Sequence, residues 1–258
     1  MSFSVLIPAR LESARLKNKM LVDIHGVPLV VRTARQALRS RAGQVYIATD
    51  SEAIAQAAQR HDIAVVRTRA HETGTDRIAQ AAQILGLAAE EIIINVQGDE
   101  PLIDPALIDK VAAQLHNDPE ASMATAAAPL TEGDSFFNPN IVKVVCNTRQ
   151  QALYFSRAPI PWDRAAFDTT QYKPPKKAPA QALQHIGIYA YKNHFLQRFP
   201  QLSPGVLERL ESLEQLRALE HGYAISVYTY PATPPPGVDT DADLQQVRSL
   251  LAKKDDIS

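Results

Sequence analysis

Four cations crowd one short stretch, Ile7-Pro8-Ala9-Arg10-Leu11-Glu12-Ser13-Ala14-Arg15-Leu16-Lys17-Asn18-Lys19, which holds no glycine. Guanidinium groups grip phosphate oxygens in pairs and ammonium groups supply point charge, so such a loop can cradle a polyphosphate without backbone help. From charge alone, a solvated basic loop is an equal alternative. With 18 prolines against 10 glycines, the chain has neither G-x-x-x-x-G-K-[ST] nor G-x-G-x-x-G, the glycine-rich phosphate signatures. Two acids complement the cations. Asp99 stands in Val96-Gln97-Gly98-Asp99-Glu100-Pro101 and Asp239 in Gly237-Val238-Asp239-Thr240. Carboxylates of this kind hold Mg²⁺ alongside phosphate oxygens. They also cap turns and helices, which is the plainer role for Asp99 and the stronger alternative for Asp239. Two acids facing a cationic loop are the parts of metal-assisted phosphoryl or nucleotidyl transfer.

These parts need a scaffold that brings distant loops to one edge. Apolar runs over 3–8, 44–49, 64–67 and 91–96 predict strands, and helical spacing over 28–40, 51–59, 76–85 and 105–116 predicts helices between them. Such alternation implies parallel pairing with right-handed crossovers, an α/β fold of three layers. The basic loop then follows the first strand and Asp99 the fourth, at the carboxyl edge where open sheets of this kind bind ligands. After residue 122 the rhythm changes. Strands over 123–128, 142–146, 152–156 and 187–191 lack intervening helices, which predicts antiparallel pairing. Residues 163–182 are rich in Pro and Lys and read as a long exposed loop. One charged helix is expected over 206–219, a strand over 224–230 and a terminal helix over 241–252, with 231–237 as a proline-stiffened connector. The chain is read as a single domain, 1–258, with an antiparallel insertion over 123–191.

Composition excludes several classes. Lys+Arg number 27 and Asp+Glu 28, a formal net charge of −1, which disfavours a nucleic-acid binder. One cysteine leaves no internal disulfide or cysteine zinc site and fits a reducing cytoplasm. No apolar run has the length of a membrane span, and the N-terminus lacks the pattern of a signal peptide.

A wider pattern then emerges. The basic loop is followed in order by Gly74-Thr75-Asp76-Arg77, Asn95-Val96-Gln97-Gly98-Asp99-Glu100-Pro101 and Phe137-Asn138-Pro139-Asn140-x-Val142-Lys143-Val144-Val145. Ala152-Leu153-Tyr154-Phe155-Ser156-Arg157, Ile160-Pro161-Trp162-Asp163-Arg164, His185-Ile186-Gly187-Ile188-Tyr189, Leu213-Glu214-Gln215-Leu216-Arg217 and Gly237-Val238-Asp239-Thr240 complete it. Together, essentially end to end, these segments resemble the 3-deoxy-manno-octulosonate cytidylyltransferase family, the CMP-KDO synthetases. The resemblance implies a nucleotidyltransferase-type, mostly parallel α/β/α sheet whose insertion makes a dimer contact and the rim of the acceptor pocket. It implies transfer of CMP from CTP to the anomeric 2-hydroxyl of KDO by a cytoplasmic, Mg²⁺-dependent homodimer that serves lipopolysaccharide synthesis. Arg10, Arg15, Lys19 and Asp99 would be catalytic. Pro8, Ala9, Gly74, Thr75, Arg77 and Gln97 would join the three cations around the nucleotide. Asp99 and Asp239 would hold metal, and Arg157, His185, Tyr189, Glu211, Glu214 and Gln215 would line the sugar-acid side.

The chain departs from the family where Lys17-Asn18 replace the usual Pro-Gly, although Asn tolerates the left-handed backbone that Gly would adopt. Met20 stands where Pro is common, and Thr73 where Ser often does. His185 on an apolar strand has a core residue as its alternative reading, Arg157 a structural salt bridge and Glu214 a solvated helix face. Glu211 and Gln215, one turn apart on the expected helix, would share a polar surface. Cys146 and Trp162 read as packing residues. A related enzyme that activates sialic acid, and a non-catalytic nucleotide sensor, are the competing functions.

Overall fold

The computed structural model describes residues 2–13, 15–165, 167 and 176–255. In chain order it contains β1 (Phe3–Ala9), β2 (Asp23–Ile24), β3 (Val27–Pro28), α1 (Leu29–Ala37), β4 (Gln44–Thr49), α2 (Glu52–Gln59) and β5 (Val65–Arg67). These are followed by α3 (Gly74–Ile84), β6 (Ile92–Asn95), α4 (Pro105–Asn117), β7 (Ala121–Pro129), α5 (Gly133–Phe137), β8 (Lys143–Cys146) and β9 (Ala152–Ser156). Then come β10 (Leu183–Lys192), α6 (Asn193–Arg198), α7 (Val206–Glu211), α8 (Gln215–Glu220), β11 (Ala224–Thr229) and α9 (Asp241–Asp255). The chain is mixed α/β and divides into two compact units. One is Met1–Ala113 with Ile188–Pro200 and Pro235–Ser258; the other is Gln114–Gly187 with Gln201–Pro234.

In the first unit β1 lies between β4 and β6 and pairs parallel with both. Every residue of β1 is buried, as expected of a parallel strand covered on both faces. β5 extends the sheet in parallel beyond β4, and residues 189–192 of β10 close the other side antiparallel to β6. The helices between the strands are specified locally. The Ser51 hydroxyl accepts from the Ile54 amide (3.4 Å) at the start of α2, and the Thr73 hydroxyl accepts from the Asp76 amide (3.1 Å) at the start of α3. α3 begins earlier than its apolar spacing indicated, because Gly74 and Thr75 already form its first turn. α9 carries a reciprocal cap. The Thr240 amide donates to Asp243 Oδ2 (2.8 Å), and the Asp243 amide donates to Thr240 Oγ1 (3.3 Å). Asp239 is therefore not the cap. Leu244, Val247 and Leu251 of α9 pack with Ile24, Leu29 and Val238 in one apolar cluster.

The second unit corrects one expectation and extends another. β7, expected to pair antiparallel within the 123–191 stretch, also runs parallel to β11, a strand outside that stretch. Its Ala-rich sequence is buried on nearly every residue, and strands hidden on both faces are characteristic of parallel sheet. β8 does pair antiparallel with β9 and with the start of β10. The helix expected over 206–219 is broken into α7 and α8, with Ser212 left-handed at φ 52°. Consequently Glu211 and Gln215 lie on different helices rather than one turn apart. The break has a physical cause. Glu208 and Arg217 form a buried bidentate pair (Nε–Oε2 2.8 Å, Nη2–Oε1 2.6 Å), yet residues nine apart face opposite sides of a continuous helix of about 3.6 residues per turn. The chain must fold back for them to meet.

Of the Pro/Lys-rich stretch 163–182, residues 163–165, 167 and 176–182 are described; Arg164, Ala165, Lys176, Lys177, Ala180 and Gln181 are exposed, as expected of a surface loop, and two residues anchor it. Phe167 and Ala182 are buried with Leu130 and Phe136. Trp162, half exposed, meets the Phe167 ring edge-on at 4.6 Å. Among the described residues no helix is long and apolar enough to cross a membrane. Removing one partner of a buried pair strands the other charge, so Arg217→Met is expected to cost about 3–5 kcal/mol. A urea titration checks this. A midpoint unchanged from wild type would show that the pair does not organise the α7–α8 turn.

Candidate active site

In the first unit, a cleft of about 280 Å³ opens beyond the carboxyl ends of β1 and β6. Pro8, Ala9, Arg10, Arg15 and Lys19 line it from the basic loop, with Gly74 and Arg77 from α3. Gln97, Gly98 and Asp99 line it after β6, and Asp239 before α9. Thr75 is buried in the first turn of α3, whose positive end suits an anion.

Lys19 organises this cleft. It is directed there by Asn18, left-handed at φ 53° and ψ 35°, a conformation that asparagine accepts more readily than other residues with a Cβ. The Lys19 ammonium donates to Asp99 Oδ2 (2.6 Å) and to Asp239 Oδ1 (2.9 Å). Burial opposes its charge, but Asp99 and then Asp239 outweigh that effect and hold its pKa above the usual lysine value. Arg15 Nη2 adds a second cation at Asp239 Oδ1 (3.0 Å). Lys19, expected on the phosphates, is thus seated on the two acids, whereas Arg10 is exposed at the cleft.

The acids are aligned by main chain as well. The Val238 amide donates to the Asp99 carbonyl (2.9 Å) and joins the two loops directly. The Thr33 hydroxyl of α1 donates to the Gly98 carbonyl (3.0 Å). A Cβ at residue 98 would lie 2.8 Å from Met20 Sδ and 3.1 Å from the Pro8 carbonyl oxygen. Gly98 therefore lets the loops pack closely against one another.

Sequence reasoning passed over Glu100, although it adjoins Asp99. Burial first, then the charges of Asp99 and Asp239, push its pKa up to about 8, with Lys19 opposing. Its carboxylate lies where a Cβ at Gly237 would come within 2.8 Å of Oε1. Among the described residues, no group of three or more His, Cys, Asp or Glu side chains is placed to hold a metal ion. Two carboxylates converging on one cation nevertheless suit a hard divalent ion that takes its remaining oxygens from phosphate and water.

Arg77 serves the fold. It is almost fully buried, pairs with Asp50 Oδ1 (2.9 Å) and donates to Thr68 Oγ1 (2.9 Å) and the Arg69 carbonyl (3.3 Å). It thereby joins the ends of β4 and β5 while also lining the cleft. Gln97 Nε2 approaches Asn95 Oδ1 at 3.5 Å.

Of the residues expected on the sugar-acid side, Tyr189 belongs to the first unit and the others to the second. Tyr189 stacks obliquely on Tyr191, with ring centroids 6.2 Å apart. Arg157 and Glu211 are brought together. Arg157 Nε donates to the Glu211 carbonyl (2.7 Å) and its amide to Glu211 Oε2 (2.9 Å). Glu211 Oε1 accepts from the Ser156 hydroxyl at 2.5 Å. Burial would raise the Glu211 pKa, but Ser156, the Arg157 amide and Tyr154 lower it overall. Lys143, quoted in the sequence pattern but given no role, is fully buried and donates to the Asn138, Ile141 and Arg157 carbonyls (3.0, 2.6 and 2.7 Å). It fixes the backbone that carries Arg157. Glu214 occupies the N-cap position of α8. Gln215 is buried, and its Nε2 has no hydrogen-bond partner among the described residues.

His185 has a structural setting. Its Nε2 lies 2.9 Å from Thr125 Oγ1, whose own proton goes to the Ile186 carbonyl (3.2 Å). Its ring meets Phe155 edge-on at 5.1 Å. Burial pushes its pKa down to about 3, against about 6.5 for an unfolded chain. As pH falls below about 6.5, the unfolded state takes the proton first, so this contribution to stability is full above that value and declines toward about pH 3. His185→Gln is expected to flatten the loss of stability between pH 7 and 5, read from urea midpoints. Parallel slopes for the two proteins would refute this.

Comparison with known proteins gives this geometry its context. Residues 4–225 match the family model described as cytidylyltransferase. A protein from Acidovorax sp. (strain JS42) named 3-deoxy-manno-octulosonate cytidylyltransferase is 52% identical over 254 residues, covering 96% of this chain and 97% of its own. One of the same name from Methylibium petroleiphilum is 50% identical over 252 residues, covering 97% and 96%. A solved CMP:2-keto-3-deoxy-manno-octonic acid synthetase in complex with CTP superposes with a TM-score of 0.86 at 38% identity, covering 98% of this chain and 99% of that one. A cytidylyltransferase from Leptospira borgpetersenii, at 17% identity and a TM-score of 0.59 over 98% and 87% of the two chains, shares the fold. On this evidence the chain belongs to the 3-deoxy-manno-octulosonate cytidylyltransferase family.

Proposed function

We propose that this enzyme transfers CMP from CTP to the anomeric 2-hydroxyl of KDO, releases pyrophosphate and so supplies CMP-KDO for lipopolysaccharide synthesis. The observation that carries the reading is the convergence of Asp99 and Asp239 on one point, beside a cationic loop at the carboxyl edge of the sheet. The family relationship supplies the substrates.

Arg10, Arg15 and Lys19 hold the triphosphate and offset the charge that builds toward pyrophosphate as the α-phosphorus is attacked in line. The positive end of α3, at Gly74 and Thr75, and the Gln97 amide orient the nucleotide. Asp99 and Asp239 hold Mg²⁺. When bound, that ion neutralises phosphate charge and makes an adjacent hydroxyl more acidic. No separate general base is needed if positioning and electrostatics carry the step.

On the acceptor side, Arg157 takes the sugar-acid carboxylate, and Tyr189 and Glu214 complete the polar surroundings. Glu211 and Lys143 hold the backbone of Arg157 in place. Gln215 has a buried amide donor to offer an incoming oxygen. His185 acts there as a neutral, positioned ring. Exposed Leu153, Val206 and Leu210 supply apolar surface for a homodimer, and the single cysteine suits the cytoplasm.

Incubation with CTP, Mg²⁺ and a panel of sugar acids tests the reading. CMP-KDO and pyrophosphate are expected. Turnover of sialic acid but not KDO would overturn the acceptor, and CTP binding without turnover would overturn the enzyme. Asp99→Ala is expected to lose roughly 100-fold or more in kcat/KM, the scale of removing one electrostatic stabiliser, with the circular dichroism spectrum retained. Activity close to wild type in that variant would remove Asp99 from the chemistry.

A further inference from the structure

The acids assigned to the metal already have a cation. Asp99 Oδ2 and Asp239 Oδ1 both accept from the single Lys19 ammonium, and Arg15 shares the same Asp239 oxygen. Lys19 and Arg15 together balance Asp99 and Asp239. We propose that Lys19 is a resident counter-ion that keeps divalent metal from the Asp99–Asp239 pair until a nucleotide draws its ammonium onto the phosphates. This inference rests on the reading that Asp99 and Asp239 are the metal ligands.

The energetics of exchange are asymmetric. The Lys19 side chain is only 10% exposed, so a metal that took both carboxylates in the absence of nucleotide would strand a buried ammonium beside a divalent ion. Stranding a buried charge is costly, and the repulsion between the two cations is strong at a few ångströms. A triphosphate removes both penalties because it offers the ammonium new anionic partners at the same cleft. Lysine suits such an exchange better than arginine would. Its point charge rides on a flexible four-carbon stem with three rotatable donors, whereas a guanidinium is fixed in its fork. By linkage, nucleotide and metal then strengthen each other's binding by the same factor. Lys19 thus has two successive partners: the acids before nucleotide binds, the phosphates afterwards.

Mn²⁺ binding, followed by the electron paramagnetic resonance of the free ion, tests this without turnover. In the absence of nucleotide, Lys19→Met is expected to bind Mn²⁺ at least about tenfold more tightly than wild type, a modest share of the repulsion removed. Lys19→Arg, which keeps the charge, stays at the wild-type level. Equal affinity in Lys19→Met and wild type would overturn the proposal. Should Lys19→Met not fold, the wild type decides: CTP binds measurably in EDTA, and Mn²⁺ binds poorly without CTP. One Mn²⁺ per chain bound equally well with and without CTP would likewise overturn it. Asp99→Asn separates the two levels. Loss of the Mn²⁺ taken up with CTP in that variant upholds the ligand assignment whatever Lys19→Met does, whereas its retention removes the assignment and this inference with it.

Discussion

An ammonium held between two carboxylates joins three places that are far apart in the chain: residue 19, residue 99 and residue 239. Each comes from a loop that follows a different strand, and loops do not align themselves. The Val238–Asp99 main-chain bond and the Lys19 bridge close them into one cluster. Desolvating these charges is affordable only because each is met by its opposite; a lone buried ammonium or carboxylate would be driven to neutrality or to the surface. The left-handed turn at Asn18, the missing side chain at Gly98 and the Thr33 bond to the Gly98 carbonyl are the local conditions that let this cluster form.

Much of this was legible beforehand because it depends on periodicity and on residue type. β4 and β9 fall over the ranges expected for them. The basic loop and Asp99 could be assigned to the ligand edge because a strand's carboxyl end is a topological position, readable once the strand is. Asn18 could be anticipated in its left-handed turn because it stands where the resembled family has Gly, and asparagine accepts that backbone.

What stayed hidden depends on partners distant in sequence. Nothing local distinguishes a lysine that meets phosphate from one that meets two acids, and the bridge made by Lys19 requires knowing that residues 99 and 239 arrive at the same point. Arg77 lines the cleft as its motif suggested, but its pairing with Asp50 could not be read from that motif. The break between α7 and α8 is invisible to helical spacing, since the charged run 206–219 satisfies a single helix. Only the pairing of Glu208 with Arg217 compels the fold-back. The parallel pairing of β7 with β11 was hidden for the same reason, since β11 lies far away in sequence.

The cap of α9 has a wider consequence. Thr240 and Asp243 cap that helix between themselves, so the Asp239 carboxylate takes no part; only its amide joins the cap, donating to Asp243 Oδ2 (3.1 Å). Had Asp239 been the cap, any drift in the site would have loosened the helix, and any repair of the helix would have disturbed the site. With the duties divided between neighbours, the side chain at 239 is free to serve the cluster with Lys19 without also serving as the helix cap. A helix start of this kind separates the two roles by side chain while the backbone of Asp239 still ties the site to the helix.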